Sequence, residues 1–319
     1  MKDRYGRNID YMRLSVTDRC NLSCDYCSAG KKDTGTNPLS KDQILAIASA
    51  ASSAGITKFK LTGGEPLMRS DLPEIIKSIK SLPGVVSVTL TTNGVLLSDK
   101  CEELKDAGID LINVSIDTCD KKEYQALTGS DKLTKVIEGI RACIANGIRV
   151  RINTVNRGRK TDVILLVKFA DSLDVDLRFI ELMPIGKARD MKGSPNLDIM
   201  KTLENEFGTG TKDETKGNGP ARYFSFPKLK IRVGFISALG EGFCDECNRL
   251  RVTSDGKLKP CLCFGDVIDL NGALKLEAGT REEALVKLIK EAVDNKPERH
   301  TFGTPDGITE TRGMDYIGG

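Results

Sequence analysis

Net charge is nearly absent from this sequence: 48 Lys and Arg against 45 Asp and Glu leave +3 over 319 residues. That balance excludes the global basic field on which non-specific nucleic-acid binding depends, so no nucleic-acid partner is expected and any anion site must be local. Long apolar runs are missing too. No stretch approaches the length that spans a bilayer, and the segment through Asp10 is charged and polar where a signal peptide would be apolar. A cytoplasmic protein with no membrane partner is the expectation. Low-complexity tracts are absent, and the 39% apolar fraction suffices for real cores. The length allows one large domain and a smaller one.

Cysteine, by contrast, is plentiful. Ten cysteines in a reducing compartment point to metal binding or catalysis before disulfides. Seven fall into two groups, with Cys101, Cys119 and Cys143 left over as core or helix thiols. The first group is Cys20-Asn21-Leu22-Ser23-Cys24-Asp25-Tyr26-Cys27, on a loop that follows an apolar strand. Three thiolates at this C-x3-C-x2-C spacing can take three corners of an iron-sulfur cube and leave the fourth iron to a small molecule. Zinc suits the run less well, since it wants four ligands and usually paired C-x2-C knuckles. The second group, Cys244-Asp245-Glu246-Cys247 with Pro260-Cys261-Leu262-Cys263, admits two readings. One is a four-cysteine zinc ribbon. The other is a second cluster with three protein thiolates and one open iron, a reading sharpened by Arg249 and Arg251 between the pairs, which could hold a polyanion there. Leu262 favours an extended segment over 261–263, in which Cys261 and Cys263 point to opposite faces and Cys263 packs as a small apolar residue.

From Tyr11 onward, short apolar runs alternate with amphipathic segments. Strands are expected at Met12–Val16, Lys58–Thr62, Val85–Thr91, Leu111–Ile116, Ile148–Thr154 and Val175–Glu181. Helices lie between, among them Lys41–Ala54 opened by Ser40, Asp71–Ser81, and Ser98–Ala107 stopping at Gly108. Six such repeats imply a parallel sheet coiled by right-handed crossovers into a partial or full barrel of the TIM type, with sites at the carboxyl ends of the strands. Met183-Pro184 ends the alternation, so a barrel over 1–184 and a smaller domain over 185–319, packed over the barrel mouth, are expected. Gly208–Pro220 reads as an exposed or mobile loop and Arg232–Ile236 as a further strand.

Two further patterns carry chemistry. Thr62-Gly63-Gly64-Glu65-Pro66 ends the second strand, where two glycines let backbone approach a ligand and present carbonyls to an ammonium group. Lys58 and Lys60 share one strand face, as do Arg149, Arg151 and Asn153, while Phe59, Leu61, Val150 and Ile152 take the other. The apolar face must meet the helices, so the cations point into the barrel, with Arg13 and Arg178 extending the set. Unpaired buried charge is costly, which calls for a compensating ligand or for pairing with Glu65 and Glu181.

These residues resemble a known family. The run Tyr11–Cys20, the Gly-Gly-Glu-Pro turn, Leu90-Thr91-Thr92-Asn93-Gly94, Ile112–Asp117, Arg178-Phe179-Ile180-Glu181, Gly234–Ser237, Cys-x-x-Cys-Asn-Arg-Leu-Arg and the final Gly-Gly are similar to the molybdenum cofactor biosynthesis protein A family, the GTP 3′,8-cyclases of the radical S-adenosylmethionine (SAM) superfamily. The match runs in order from about Arg7 to Gly319. It implies a partial (βα)6 barrel, a smaller C-terminal iron-sulfur domain, and two four-iron, four-sulfur clusters facing each other across a cavity. By that resemblance Cys20, Cys24 and Cys27 hold the SAM cluster, with Tyr26, Gly64, Ser115 and Met183 around SAM. Cys244, Cys247 and Cys261 hold the second, whose open iron takes the guanine end of GTP. GTP contacts fall on Arg13, Lys60, Thr91, Arg151, Arg249, Leu250 and Arg251, and the Gly318-Gly319 tail enters the active site, so that Arg13, Arg249, Arg251, Gly318 and Gly319 carry the catalytic roles. The implied reaction is abstraction of hydrogen from C3′ of GTP by the adenosyl radical and attack of that carbon on C8 of guanine. An external electron donor, a next enzyme that receives the product, and a possible homodimer complete the implied partners.

Departures from the family pattern occur at Ser28-Ala29-Gly30, where many members have Met-Pro, at Lys60 in place of arginine, at Lys160 in place of asparagine, and at the extra Cys263. A peptide-modifying radical SAM enzyme would keep the first cysteines without needing Arg249, Arg251 or the Gly-Gly tail. A zinc module would have no use for Gly-Gly-Glu-Pro.

Overall fold

The computed structural model describes residues 1–27, 38–158, 160–214, 217–240, 242–265, 267–304 and 307–318, with backbone only at Lys160 and Thr161. Ser28-Ala29-Gly30, Gly319 and the Lys160 side chain therefore lie outside the described residues. Six parallel strands form the centre: β1 (Tyr11–Ser15), β2 (Lys58–Thr62), β3 (Ser87–Thr92), β4 (Leu111–Ser115), β5 (Val150–Asn156) and β6 (Leu177–Glu181). Between them run α1 (Lys41–Ser53), α2 (Leu72–Lys80), α3 (Leu97–Asp106), α4 (Lys121–Thr128), α5 (Leu133–Ala145) and α6 (Lys160–Ser172). After β6 come α7 (Asn196–Phe207), β7 (Thr211–Asp213), β8 (Arg222–Ser225), β9 (Arg232–Ile236), β10 (Arg249–Val252), β11 (Lys257–Lys259), β12 (Ile268–Asp269), α8 (Asn271–Leu274), α9 (Ala278–Asp294) and α10 (Met314–Ile317).

Local chemistry explains these elements. Ser40 caps α1 in a capping box with Gln43, satisfying two of the orphan amides at that end. Leu72, Ile75, Ile76 and Ile79 put a buried stripe on α2 at helical spacing, and Gly108 follows α3 at φ 79°, which few other residues adopt. The outer faces of the central strands (Met12, Leu14, Phe59, Leu61, Val88, Leu90, Ile112, Val114, Ile152) join these helices in one large core. A second, smaller apolar cluster gathers Ile185, Ala238, Leu262, Cys263, Phe302, Ile308 and Ile317.

Among the described residues the twelve strands belong to one sheet, in the order β12-β11-β10-β1-β2-β3-β4-β5-β6-β9-β8-β7. Strands from beyond residue 184 thus extend the sheet at both edges. Part of the segment expected to be an irregular loop, Thr211–Asp213, instead pairs antiparallel with β8. Because β10 runs parallel to β1, with Tyr11 opposite Arg249, the residues just before β10 sit at the amino ends of the strands. Cys20, which follows β1, sits at the carboxyl ends. Of the barrel's two openings, the C-terminal cysteines occupy the amino-end one. Among the described residues no helix is long and apolar enough to cross a membrane.

Candidate functional site

At the carboxyl ends, the first cysteine loop is tied down from three sides. Cys27 N–H donates to the Cys24 carbonyl at 3.2 Å, making the turn that brings these two thiols round. Asn93, just past β3, donates to Asn21 Oδ1 at 2.7 Å and to Cys20 Sγ at 3.8 Å, while Glu65 accepts from Asn93 N–H at 2.7 Å and from Thr92 Oγ1 at 2.7 Å. Tyr26 donates its hydroxyl to Asp117 Oδ2 at 2.7 Å, and Arg157 grips Asp25 through both terminal nitrogens at 2.6 and 2.7 Å while lying over the Tyr26 ring. A small pocket between these groups is lined by Cys24, Tyr26, Asn93, Ser115 and Asp117.

Gly63 and Gly64 have a structural reason beyond ligand access. A Cβ at Gly63 would lie 2.2 Å from the Thr17 carbonyl oxygen, and one at Gly64 would lie 2.3 Å from that of Arg19. Gly64 and Glu65 donate their amides to those carbonyls, so the turn after β2 is bonded directly to the backbone leading into Cys20. Met183 packs against the smaller apolar cluster.

Register sorts the inward-facing residues into one continuous belt. Arg251 is opposite Arg13, Arg13 opposite Lys60, and Lys60 opposite Thr89; Thr91 is opposite Asn113, Asn113 opposite Arg151, and Asn153 opposite Arg178. Two-residue periodicity puts all of these on the barrel's inner face. Arg149 does not join them: β5 begins at Val150, and Arg149 is exposed. Lys58, at the edge of the belt, pairs with Asp10 at 2.9 Å. Leu250 has its side chain in the main core, so any ligand contact there falls to its backbone.

The belt is positive and largely unneutralised. Glu65 spends its oxygens on Leu67, Thr92 and Asn93, and Glu181 on Asn196, Leu239 and Gly240, so neither carboxylate pairs with the barrel cations. Among the described residues, Arg151 is the one belt cation that forms an ion pair, with Asp176 at 3.9 Å. Arg178 donates to Asn153 and Asn113, and Nε of both Arg13 and Arg151 is buried without a partner. Burial, followed by repulsion from Arg13, Arg178, Arg151 and Arg249, pushes Lys60 well below its ordinary pKa; burial, then Arg13 and Arg249, does the same to Arg251. Guanidinium groups stay charged in proteins, so at Arg251 the direction of this push marks unfavourable burial of charge, which a bound anion would relieve.

At the amino ends, Cys244, Cys247 and Cys261 lie among donors and cations. His300 N–H points at Cys244 Sγ at 3.4 Å, and Arg249 donates to Cys247 Sγ at 3.7 Å with its guanidinium over Phe243. Lys296 donates to the carbonyls of Arg249 and Pro260 at 2.9 and 2.7 Å, under the strands that present these thiols. Burial raises the Cys247 thiol, but Arg249 and Lys296 outweigh it and bring the pKa to about 6. Cys263 is fully buried in the smaller apolar cluster, with its sulfur accepting from Thr301 N–H at 3.4 Å. Residues 261–263 form a bend, not the extended segment expected, yet Cys263 still ends in apolar surroundings.

The chain's end reaches the belt. Arg251 donates to the Gly318 carbonyl at 2.6 Å, and Gly318, buried at φ 85°, lies where a Cβ would be 2.7 Å from Thr62 Cγ2. Buried Lys259 pairs with Glu310, Arg312 bonds Tyr316, and Tyr316 donates to Asp255, so the tail is fastened along its length.

Both cysteine sets suit iron-sulfur clusters: three thiols each, with N–H donors aimed at Cys20, Cys244 and Cys247 of the kind that tune such centres. Among the described residues no three His, Cys, Asp or Glu side chains converge on a single-ion site.

Comparison with known proteins agrees with this geometry. Residues 14–163 match the model of the radical SAM superfamily and residues 175–302 that of Molybdenum Cofactor Synthesis C. A GTP 3′,8-cyclase of Clostridium perfringens (strain 13 / Type A) is 40% identical over 327 residues, covering 100% of both chains. The chain belongs to the GTP 3′,8-cyclase family. A further member, from Alkaliphilus oremlandii, is 38% identical, again over 100% of each chain. Among solved structures, Streptococcus suis SuiB bound to S-adenosylmethionine superposes with a TM-score of 0.65 at 16% identity over 89% of this chain and 68% of that one, a likeness of fold.

Sequence reasoning passed over Asn93 as a contact of Cys20, Asp117 and Arg157 as supports of the first cysteine loop, and Lys296 beneath the second cysteines. Asn93 and Asp117 stand inside the runs that carry the family resemblance; nothing local marks Arg157 or Lys296.

Proposed function

We propose that this GTP 3′,8-cyclase family member converts GTP to (8S)-3′,8-cyclo-7,8-dihydroguanosine 5′-triphosphate, the first step of molybdenum cofactor biosynthesis, using SAM and two four-iron, four-sulfur clusters. Cys20, Cys24 and Cys27 hold one cluster, and Cys244, Cys247 and Cys261 the other. The observation that carries the reading is the belt of unneutralised cations lying between the two cysteine groups. When bound, the first cluster and SAM supply the adenosyl radical that takes hydrogen from C3′ of GTP.

The chain's own part is to bind, orient and exclude water. Arg13, Lys60, Thr91 and Arg151 hold the phosphates and ribose from the barrel wall, and so position C3′ through contacts away from the reacting atoms. Arg249 and Arg251 hold the nucleotide beside the second cysteines. Tyr26, Gly64, Ser115 and Met183 surround SAM. Gly318, already seated against Arg251, closes the chamber, and Gly319 lies one residue beyond it. An external electron donor, delivery of the product to the next enzyme, a homodimer and a cytoplasmic setting belong to the same proposal.

Anaerobic reconstitution, iron and sulfide counting, and product identification after adding SAM, GTP and reductant test it. About eight irons and a GTP-dependent isomer of GTP are expected. Stoichiometric zinc in the C-terminal half, or SAM cleavage with no change in GTP, would overturn it.

A further inference from the structure

Tyr223 stands outside the residues assigned above, yet it opens onto the same belt. It lies on β8, directly opposite Gly234 of β9, which is itself opposite Arg178 of β6. The three make one inward-facing row. Gly234 is what lets the outer member reach in: a Cβ there would lie 2.8 Å from Tyr223 Cε1 and 2.9 Å from Arg178 Cγ. Without that side chain, the tyrosine ring crosses the glycine and rests beside Arg178.

Its surroundings are cationic. The guanidinium of Arg151 stands 5.4 Å from the ring centroid and that of Arg232 stands 5.2 Å away, both within cation–π range. Tyr223 is only 3% exposed, and its hydroxyl is buried with no hydrogen-bond partner. A buried phenol normally finds a partner, and leaving one unmet is costly. In the same belt, Nε of Arg151 and of Arg13 are orphaned in the same way. Three unmet donors within one positively charged belt match a ligand that is all acceptor and anionic. Arg232 does not compete for that ligand, because its guanidinium is held by Asp176 at 2.6 Å.

We infer that Tyr223 is a positioning residue for the phosphate chain of the nucleotide, donating its hydroxyl to a phosphate oxygen beside Arg151. The inference rests on the GTP reading and sharpens it by naming the part of the substrate that is read. It assigns Gly234 a matching role, that of holding open the space the ring crosses.

Nucleotide binding to the reconstituted, anaerobic protein is the test, with Tyr223→Phe compared against the parent for GTP, GDP and guanosine. Tyr223→Phe keeps the ring and its cation–π contacts and removes only the donor, so folding and iron content serve as controls. GTP affinity should fall roughly tenfold or more, as for loss of a hydrogen bond to a charged group, while guanosine affinity stays within twofold. Equal losses for GTP and guanosine would mean a structural role and would overturn the inference. So would unchanged GTP affinity, which would leave the hydroxyl to a buried water. If the parent itself failed to bind GTP, the functional reading would fall first. Gly234→Ala, which drives a methyl into Tyr223, should reproduce the selective loss in protein that retains its iron; normal GTP binding there would also count against the inference.

Discussion

The two cysteine groups share a ligand chemistry and differ in everything around it. At the carboxyl ends, Cys24 is raised by burial first, then by Cys27, Asp117, Cys20 and Asp25. At the amino ends, Arg249 and Lys296 pull Cys247 down to about 6 against the effect of burial. Carboxylates therefore neighbour the thiols at one end of the barrel, and cations neighbour those at the other. The proposed assignment of ligands fits that difference: SAM would bring its sulfonium charge to the end that holds Asp25, Asp117 and Glu65, and GTP its polyanion to the arginines. Under that assignment, the different charge at the two ends would help orient two oppositely charged ligands.

Exchanging or deleting groups at either end should break this comparison in graded steps. The largest effect is loss of a whole centre. Cys24→Ala should halve the iron content and abolish SAM cleavage, whereas Cys261→Ala should halve it and end GTP conversion while uncoupled SAM cleavage persists. Iron counting and 5′-deoxyadenosine assays decide this, and identical behaviour of the two variants would erase the distinction between the ends.

Arg251→Ala comes next. It removes one member of the cationic belt and the donor to Gly318, so GTP should bind about 1.5–3 kcal/mol more weakly, roughly 10- to 150-fold. Because Arg251 is destabilised by burial and by its neighbours, the melting temperature of the nucleotide-free protein should hold or rise.

Smaller is a pH effect in reduced, cluster-free protein. A pKa lowered to about 6 means that Cys247 is thiolate above that pH and loses its charge as pH falls through it. Alkylation at Cys247, followed by mass spectrometry, should accelerate about tenfold between pH 5 and 7. Cys24, shifted upward, should show no such rise in that window. The smallest effect belongs to Cys263→Ser: iron content and GTP conversion should match the parent, with stability changed by about 1 kcal/mol or less, as its sulfur meets Thr301 rather than the other thiols.

How much of this could be read from the residues depends on sequence distance. Lys60 and Arg151 were legible because strand periodicity is local, and Phe59 and Ile152 mark the opposite face unambiguously. Arg149 was misplaced because the strand begins two residues later than its apolar run suggests. Thr211–Asp213 looked like loop because its short polar run gains order only from pairing with β8. The placement of Cys244 and Cys247 opposite Cys20 comes from β10 lying parallel to β1, a pairing across more than two hundred residues that no local pattern records. Tyr223 was invisible for the same reason, since its part depends on facing Gly234 and, beyond it, Arg178.

The most direct test of two ends serving two ligands is electron paramagnetic resonance on single-cluster proteins. In Cys261→Ala protein, SAM should alter the spectrum of the remaining reduced cluster and GTP should leave it unchanged. In Cys24→Ala protein, GTP should alter it and SAM should not. A response to GTP at the first cluster, or to SAM at the second, would contradict the assignment of the anion-binding end to Arg249, Arg251 and the cysteines beside them.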